Sequence, residues 1–535
     1  MSSKIFKITA VAATVAASFS ANAALYNVYK YEDVADNEIT QTYGVAIAPA
    51  ANGAASCFDA SCGQGDYAIA YEGKKYQEGF QYRDESPFLV NFGFDYIDVG
   101  DNLYDNFRSY CYNYLGYTDS LCENWATTQY TNGFANEFEN SDVNNSKAFI
   151  EFASERPSDG NVVINSINAD GNAVGSFQAS VEERNVAFAD GLTVGSAARS
   201  RAWAQVDDGT DVYTVGSIST KYGTGSDYTS EAIIWQTPTG GGTTTTNRIA
   251  WENSAIRDQV MPQGSARDVT LIGSDIYAVG FNSDVEERLR AAVFYYDTVN
   301  TKWTHRFVSG FDGGDRSLDN YLNSKLSAVS ENGVAVGTYK LRDVISNGAY
   351  SNGLFYVTNV ADPNPSAQVF SGDIFFTGAN GLIGGINKYD EVVGTVDFET
   401  HREVDGKPRA QRGFITQLTS KAQAPLQGKA WYLDNLTYGS NALASNNDYR
   451  IVQAGDINDA GVIAATAYYC EGGYASDAID ASCNSTSKLV AVKLVPVTNP
   501  SITERPVETS TVERQGGTLG FFALTLLGLL GFRRK

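Results

Sequence analysis

One pattern of apolar and polar positions recurs along the chain from about residue 160 onward. A short apolar run leads into a polar turn rich in Asn, Asp and Gly, and a run of small residues follows. No long stretch of the mature chain has the 3.6-residue apolar spacing of an amphipathic helix. The fullest copies are residues 166–176, 328–338, 385–395 and 456–466, the last with Ala465 in place of the final Gly, and shortened copies end in Val194-Gly195-Ser196, Val215-Gly216-Ser217 and Val279-Gly280-Phe281.

Each copy predicts a strand, a tight turn and a second strand, because Asn and Gly accept the positive φ angles of hairpin turns. The strand of small residues would let a neighbouring sheet approach closely. An aromatic strand would then fill the remaining gap. The aromatic segments are residues 202–203, 232–235, 292–295, 353–356 and 413–415.

The spacing of the repeat predicts the architecture. Gly280, Gly337 and Gly394 are 57 residues apart, which is typical of a β-propeller blade with loops. We therefore expect an all-β fold, a β-propeller-like repeat domain of about six to eight blades, with seven as the best estimate. Gly175, Gly195 and Gly216 lie only about 20 residues apart, so one of them should mark an extra strand rather than a blade.

The chain divides into five predicted segments. Residues 1–23 are a signal peptide, 24–159 a Tyr-rich N-terminal part of the β body, 160–495 the repeat region, 496–514 a linker rich in Pro, Thr, Ser and Glu, and 515–535 a C-terminal sorting segment. Tyr43-Gly44-Val45-Ala46 could begin another blade. Residues 95–125 are expected to form an insertion pinned by a disulfide.

The N-terminal segment has the pattern of an export signal. Two lysines precede an apolar run, and Ala21-Asn22-Ala23 supplies a small-x-small site for signal peptidase. Cleavage is expected after Ala23. The apolar run is too short for a permanent anchor, so the chain is expected to be exported.

The C-terminal segment is a short apolar run between two glycines and a basic end. Gly516 and Gly517 precede the run at 519–532, and Arg533, Arg534 and Lys535 end the chain. The basic end should stay cytoplasmic, and the glycines weaken the helix, as an intramembrane protease requires. A plain, permanent anchor is the alternative.

This order of parts resembles the GlyGly-CTERM tail of Gram-negative marine bacteria. The resemblance implies cleavage by rhombosortase, a rhomboid-type intramembrane protease, and export through type II secretion machinery. The protein would then be anchored in the inner membrane only transiently before reaching the cell surface or the medium.

The repeats resemble the HAF-type repeats of bacterial extracellular proteins, in which Ile-Asn-x-x-Gly-x-Val-Val-Gly precedes an aromatic strand. The whole arrangement is similar to an uncharacterised propeller-like family of vibrios and their relatives. That family brings no catalytic residues with it.

Six cysteines lie in three close pairs, Cys57 with Cys62, Cys111 with Cys122, and Cys470 with Cys483. An even count in an exported chain favours disulfides, and local pairing is the simplest of the 15 pairings that six cysteines allow. A structural zinc site is not expected, because neither C-x-x-C nor a His-rich cluster occurs.

The chain is strongly acidic, with 62 acidic and 39 basic residues and a formal net charge of −23. Phosphate binding requires clustered Lys and Arg, so nucleic acid is not expected as a partner. No cofactor is expected either, with calcium as the one candidate. Its hard oxygen ligands would come from two Asp-rich turns that hold Asp207, Asp208 and Asp211 in one and Asp312 and Asp315 in the other.

Catalytic motifs are absent from the sequence. No G-x-S-x-G or P-loop occurs, and His305 and His401 are the only histidines. The leading hypothesis is therefore an exported propeller that binds an unknown ligand or serves adhesion, without enzymatic activity. A secreted hydrolase of the polysaccharide type, with carboxylates at the propeller mouth, and a structural envelope protein remain the alternatives.

Overall fold

The structure is a computed structural model. It describes residues 24–32, 39–51, 53–75, 103–135, 145–151, 160–179, 185–195, 199–223, 228–253, 261–286, 288–311, 321–344, 350–419, 424–426, 428–439, 441–498 and 501–508. The predicted signal peptide and C-terminal sorting segment lie outside these residues.

Seven antiparallel sheets form a closed ring. The first strand of each sheet contacts the first strand of the next, and that of the seventh contacts that of the first. The fold is therefore a seven-bladed, all-β propeller, which confirms the prediction and its best estimate of seven. The inner strands of blades 1 to 7 are β2 (Gln41–Ile47), β5 (Gly160–Ile167), β8 (Arg199–Asp207), β12 (Gly264–Ile272), β16 (Tyr321–Val329), β20 (Gly381–Ile386) and β24 (Tyr449–Ile457).

The remaining strands complete each blade outward. Blades 1 and 2 add β3 (Ile69–Lys74), β4 (Ser146–Ile150), β6 (Ala173–Gln178) and β7 (Val186–Phe188). Blades 3 and 4 add β9 (Asp211–Lys221), β10 (Tyr228–Pro238), β11 (Thr245–Ile249), β13 (Asp275–Ser283), β14 (Leu289–Asp297) and β15 (Lys302–Phe307). Blades 5 and 6 add β17 (Ala335–Leu341), β18 (Asn352–Val357), β19 (Gln368–Val369), β21 (Glu391–Asp397), β22 (Gln411–Gln417) and β23 (Trp431–Tyr432).

Blade 7 joins the two ends of the body. Its second and third strands are β25 (Ile463–Cys470) and β26 (Ser487–Pro496), and its outer strand is β1 (Tyr26–Tyr31). β1 pairs with β26 in antiparallel register, from Tyr26 opposite Pro496 to Tyr31 opposite Ala491. Because the first and last strands share one sheet, the ring closes without a free seam between its ends.

A β-bulge interrupts every inner strand at the same place. In blades 2 to 6 the residue before the bulge pairs with the repeat glycine of the second strand. In blade 7 it pairs with Ala465, which takes the place of that glycine. At Gly216 an added Cβ would lie 1.9 Å from the carbonyl oxygen of Arg201, and at Gly280 2.0 Å from that of Ser265. The bulge pushes a backbone carbonyl against the second strand, so the glycine of Val-Gly-Ser is required within its own blade.

Aromatic side chains of the third strand cover these glycines from the other side. The Trp235 ring would lie 2.8 Å from a Cβ at Gly216, and the Phe414 ring 2.9 Å from a Cβ at Gly394. Both rings are fully buried. The aromatic strand therefore covers the glycine of its own blade, and it also fills the gap to the neighbouring sheet, as the sequence pattern predicted. Trp235 shares a buried cluster with Val174 of blade 2, and Phe414 shares one with Leu354 of blade 5.

The polar turns of the repeat also join neighbouring blades. The Asn458 Oδ1 accepts hydrogen bonds from the backbone N–H groups of Ala460 and Val462, both at 3.0 Å, and so shapes the turn. Its Nδ2 donates to the carbonyl oxygen of Ala48 in blade 1, at 2.9 Å. Asn387 does the same between blades 6 and 7 by donating to the Asn458 carbonyl oxygen. One side chain type thus serves both the local turn and the packing of blades.

Two features of the repeat differ from the prediction. Gly195 ends a shortened copy but lies outside any strand, after β7. Ala202 and Trp203, taken as an aromatic third strand, belong to the inner strand β8. Blade 3 is therefore built around Gly216, and Trp203 faces the centre of the ring.

The disulfide-containing insertion of blade 1 is helical, which the sequence pattern did not predict. It contains α1 (Leu103–Tyr110), a π-helix at Cys111–Leu115, α2 (Asp119–Ala126) and a second π-helix at Thr127–Phe134. Elsewhere the chain has only α3 (Leu433–Leu436) and short 3₁₀ turns at Ala424–Leu426 and Ala444–Asp448 among the described residues. All three disulfides join the local pairs expected from the sequence.

The insertion reaches across the ring to blades 5 and 6. The buried Lys340 of β17 donates to the carbonyl oxygen of Tyr114 at 2.7 Å and to that of Tyr350. Tyr117 forms a parallel bridge with Gly406 in the β21–β22 connection. Since all these segments join second and third strands, the insertion lies over one face of the propeller.

Part of the predicted linker packs against the body. The Arg505 side chain is buried, its Nε donates to the carbonyl oxygen of Asp434 at 2.8 Å, and its Nη1 donates to that of Asp477 at 3.1 Å. Every helix in the described part of the chain is too short or too polar to span a bilayer.

The contrast between Gly216 and Gly195 provides a matched test of the bulge contact. Both lie in the tetrapeptide Thr-Val-Gly-Ser, but a Cβ at Gly195 would meet nothing within 4 Å. We expect Gly216→Ala to lower the free energy of unfolding by roughly 3 kcal/mol or more through the clash with a backbone carbonyl. Gly195→Ala should be neutral or slightly stabilising. Urea unfolding of both variants measures the difference, and equal stabilities would contradict the explanation.

Candidate functional site

A cavity of about 370 Å³ lies where the inner strands of all seven blades meet. The unpaired residue of the equivalent bulge in every inner strand lines it. These seven residues are Val45, Asn165, Trp203, Arg267, Ser327, Gly384 and Gly455. The bulges thus place one residue from each blade at the cavity, with a constant backbone and varied side chains.

Asp268 follows the bulge of blade 4 and lines the cavity. Its Oδ1 accepts the backbone N–H of Val269 at 2.8 Å, and its Oδ2 accepts that of Val329 in blade 5 at 2.8 Å. The carboxyl group thereby ties blade 4 to blade 5. Burial raises the pKa of Asp268 to about 7, against these two hydrogen bonds.

Asp456 occupies the equivalent position in blade 7. Its Oδ1 accepts the backbone N–H of Ile457 at 2.8 Å, and its Oδ2 accepts that of Ile47 in blade 1 at 3.0 Å. Burial, with a contribution from the negative charge of Asp268, raises the pKa of Asp456 to about 7. The negative charge of Asp268 therefore disfavours ionisation of the Asp456 carboxyl group.

Trp203 and Arg267 form a stacked pair between blades 3 and 4. The guanidinium carbon of Arg267 lies 3.8 Å from the centre of the Trp203 ring and 5.5 Å from that of Phe281. A guanidinium over an indole face is a favourable cation–π contact, and it is stronger where water is excluded. The pair gives the cavity one broad apolar surface with a cation on it.

The other polar residues of the lining include Tyr43, Glu72, Lys325 and Thr338. Both carboxylate oxygens of Glu72 already have partners within the chain. Its Oε2 lies 3.0 Å from the Nζ of the buried Lys74, and its Oε1 accepts the backbone N–H of Ile164 at 2.9 Å. The Thr338 side chain is 1% exposed, and its hydroxyl group has no hydrogen-bond partner in the chain.

Neither histidine lies at this cavity. His305 is in the outer strand β15, packed on Phe307 with ring centres 4.8 Å apart, and burial lowers its pKa to about 4. His401 is in the β21–β22 connection, with its Nε2 3.2 Å from Glu399. Because both histidines lie away from the cavity, neither can act as a general base on a molecule bound there.

The calcium candidates are only partly described. Asp207 and Asp208 accept backbone hydrogen bonds within the turn between β8 and β9, and the Asp211 Oδ2 accepts one from Gln236. Asp312 and Asp315 lie outside the described residues, as do Ala23, Gly516, Gly517, Arg533, Arg534 and Lys535. Within the described ranges, nowhere do three His, Cys, Asp or Glu side chains gather as a metal site would require.

Sequence reasoning missed the residues that line the cavity. Asp268 lies in a strand that no motif marks, and Asp456 begins a full copy of the repeat, residues 456–466, without being distinguished from the rest of it. The available signal was the repeat itself: the inner-strand position two residues after the partner of each repeat glycine is Ser166, Ala204, Asp268, Ala328, Gly385 and Asp456 in blades 2 to 7. An acid at this position stands out once the blades are aligned.

Residues 214–535, more than half of the chain, match the family described as "Protein of unknown function (DUF3466)". The match begins in β9 of blade 3 and runs to the C-terminus. No protein with a curated description matches the chain.

Several solved structures are similar to the chain at low identity. A glycosyl hydrolase from Bacteroides ovatus is 11% identical, over 57% of this chain and 86% of that one, with a TM-score of 0.27. TolB from Acinetobacter baumannii is 9% identical, over 62% of this chain and 61% of that one, with a TM-score of 0.26. The propeller domain of the Trilobed protease from Pyrococcus furiosus is 10% identical, over 58% and 75%, with a TM-score of 0.25. Such likenesses support no statement about what this chain binds or does.

The raised pKa values of Asp268 and Asp456 predict how stability depends on pH. The folded protein binds more protons at these groups than the unfolded chain does between about pH 4 and pH 7. The free energy of unfolding should therefore fall as the pH rises through this range, by at most about 1.4 kcal/mol per pH unit for each carboxyl group.

Urea unfolding across that range tests this dependence. Asp268→Asn should flatten the pH profile even if it lowers stability overall. An identical slope in wild type and Asp268→Asn would contradict the raised pKa.

Proposed function

The chain belongs to the DUF3466 family, and on that premise we propose that it is an exported binding protein whose central cavity holds a small polar ligand. The observation that carries the proposal is the lining of the cavity by one bulge residue from each of the seven blades. The backbone frame repeats around the ring while the side chains differ. A frame of this kind allows specificity without disturbing the fold.

The size and chemistry of the cavity support a ligand site. Ligand pockets usually measure about 300–1,000 Å³ and combine apolar surface with a few polar groups. The cavity, at about 370 Å³, has the Trp203 ring, the Arg267 guanidinium and two carboxyl groups within that volume. It would take a molecule of about monosaccharide size, or the end group of a longer polymer.

A hydrolase is the second candidate, because two carboxyl groups and an arginine share one central cavity. An acid–base pair needs environments that push the two pKa values apart. Asp268 and Asp456 instead have the same surroundings, two backbone N–H donors each, and burial raises both pKa values to about 7. The observation therefore favours binding over hydrolysis.

Loss of the Trp203 ring should weaken binding. With purified mature protein and a glycan array, followed by titration of the best ligand, Trp203→Ala should lower affinity roughly tenfold or more. Trp303→Ala, in the outer strand β15, is the matched control and should bind as wild type does. Equal binding by both variants, or release of reducing ends that Asp268→Asn and Asp456→Asn both abolish, would contradict a binding function at this cavity.

The C-terminal segment is expected to determine the localisation of the protein. We propose that it holds the chain in the inner membrane with its basic end inside, until a rhomboid-type protease cuts near Gly516 and Gly517 and type II secretion releases the body. Replacement of both glycines by Leu should leave the protein in the membrane fraction, because a more stable helix resists cleavage. Fractionation of cells and medium measures this, and unchanged release would restore the plain anchor.

A further inference from the structure

We propose that the ligand of the central cavity carries a protonated amino group, which is bound by the carboxylates of Asp268 and Asp456 and by the Thr338 hydroxyl group. The inference rests on the proposed binding function and names the chemical class of the ligand. It would be a small amino compound with further polar groups, such as an amino sugar or an amino acid.

The two carboxylates lack a cation partner. Among the described residues, neither Asp268 nor Asp456, which are both half-buried, forms a salt bridge. Three more deeply buried acids do: Glu72 lies 3.0 Å from Lys74, Asp397 lies 3.2 Å from Arg409, and Asp434 lies 3.3 Å from Arg412. A carboxylate that is largely removed from water and has no counter-ion is costly, and a ligand ammonium group would supply the missing charge.

The two carboxylates also reach the cavity from separate sides. Asp268 joins blade 4 to blade 5, and Asp456 joins blade 7 to blade 1, so their positions are nearly opposite in a ring of seven. Each has two hydrogen bonds from backbone N–H groups, and an ionised carboxylate has about four acceptor sites. Acceptor capacity is therefore left for a donor that sits between them.

Thr338 is an independent sign of a ligand. It follows the repeat glycine of blade 5, lines the cavity, is 1% exposed, and has a hydroxyl group without a partner in the chain. A buried hydroxyl group that makes no hydrogen bond costs free energy. An ammonium group has three donors, so it could donate to a carboxylate of the cavity and to this hydroxyl oxygen together.

The rest of the lining limits the kind of amine. The cavity, at about 370 Å³, is far too large for a bare metal ion to fill. Arg267 and Lys325 also line it and would repel a polycation such as a long polyamine. A compact amine that carries hydroxyl or carboxylate groups meets both requirements, because these groups can accept hydrogen bonds from the two basic side chains.

Matched ligands isolate the amino group. Binding to the purified mature protein would be measured by calorimetry for glucosamine, glucose and N-acetylglucosamine, for norleucine and hexanoate, and for Ca²⁺ alone. Preference for the amine over its partner without an ammonium group by about tenfold or more in at least one series is expected. Equal binding of the compounds with and without an ammonium group, no binding of any amine, or binding of Ca²⁺ alone would overturn the inference.

Matched variants then locate the amine. Asp456→Asn should reduce affinity for the preferred amine about tenfold or more. Thr338→Val should reduce it several-fold while keeping or raising the melting temperature, because an unpaired hydroxyl group is removed. Thr395→Val is the control: Thr395 follows the repeat glycine of blade 6 and also has an unpartnered hydroxyl group, but it does not line the cavity. Equal effects of Thr338→Val and Thr395→Val would overturn the site.

The same measurements separate the two proposals. If uncharged sugars bind as tightly as amines, and Trp203→Ala weakens them equally, the binding function stands and the amine inference fails. If no compound on the glycan array or among the amines binds, both fail.

Discussion

The contact on which this structure depends lies inside blades 2 to 6, where a backbone carbonyl beside the bulge of the inner strand lies against a glycine of the second strand. At Gly337 an added Cβ would lie 2.0 Å from the carbonyl oxygen of Lys325, and at Gly394 2.1 Å from that of Leu382. In these five blades only a residue without a side chain fits so close to the carbonyl oxygen, whereas blade 7 has Ala465 at the equivalent position. The Val-Gly pair recurs along the chain because this contact recurs in successive blades.

The bulges have a second consequence at the centre of the ring. An extra residue in each inner strand bends the strand and lies at the cavity, where it presents a side chain in blades 1 to 5 and a glycine, Gly384 or Gly455, in blades 6 and 7. The residues beside the bulges also join blades, since Asp268 and Asp456 each accept an N–H from the next blade. The bulged segments therefore supply both the contacts between blades and the residues that line the cavity. A substitution at the candidate site also changes the contacts between blades.

The half-buried acids of the cavity show the cost of that arrangement. Asp268 and Asp456 fasten the blades but lie in surroundings that disfavour their charge. A cavity with two such groups, and with the Trp203–Arg267 pair beside them, is poised to gain free energy from a ligand of complementary charge. Stability and ligand binding are linked through these carboxyl groups.

The sequence by itself determined the propeller, a range of about six to eight blades and the local disulfides, because each depends on contacts close in the chain: a turn, a glycine and an aromatic residue within one repeat. It did not reveal that the insertion is helical. It also did not reveal that Gly195 lies outside any blade, because the same Thr-Val-Gly-Ser occurs at Gly195 and Gly216 and only their packing in the folded chain distinguishes them. The cavity was decided by tertiary structure alone. Its lining comes from residues of all seven blades, spread from Tyr43 to Asp456, and closure of the ring is what brings them together.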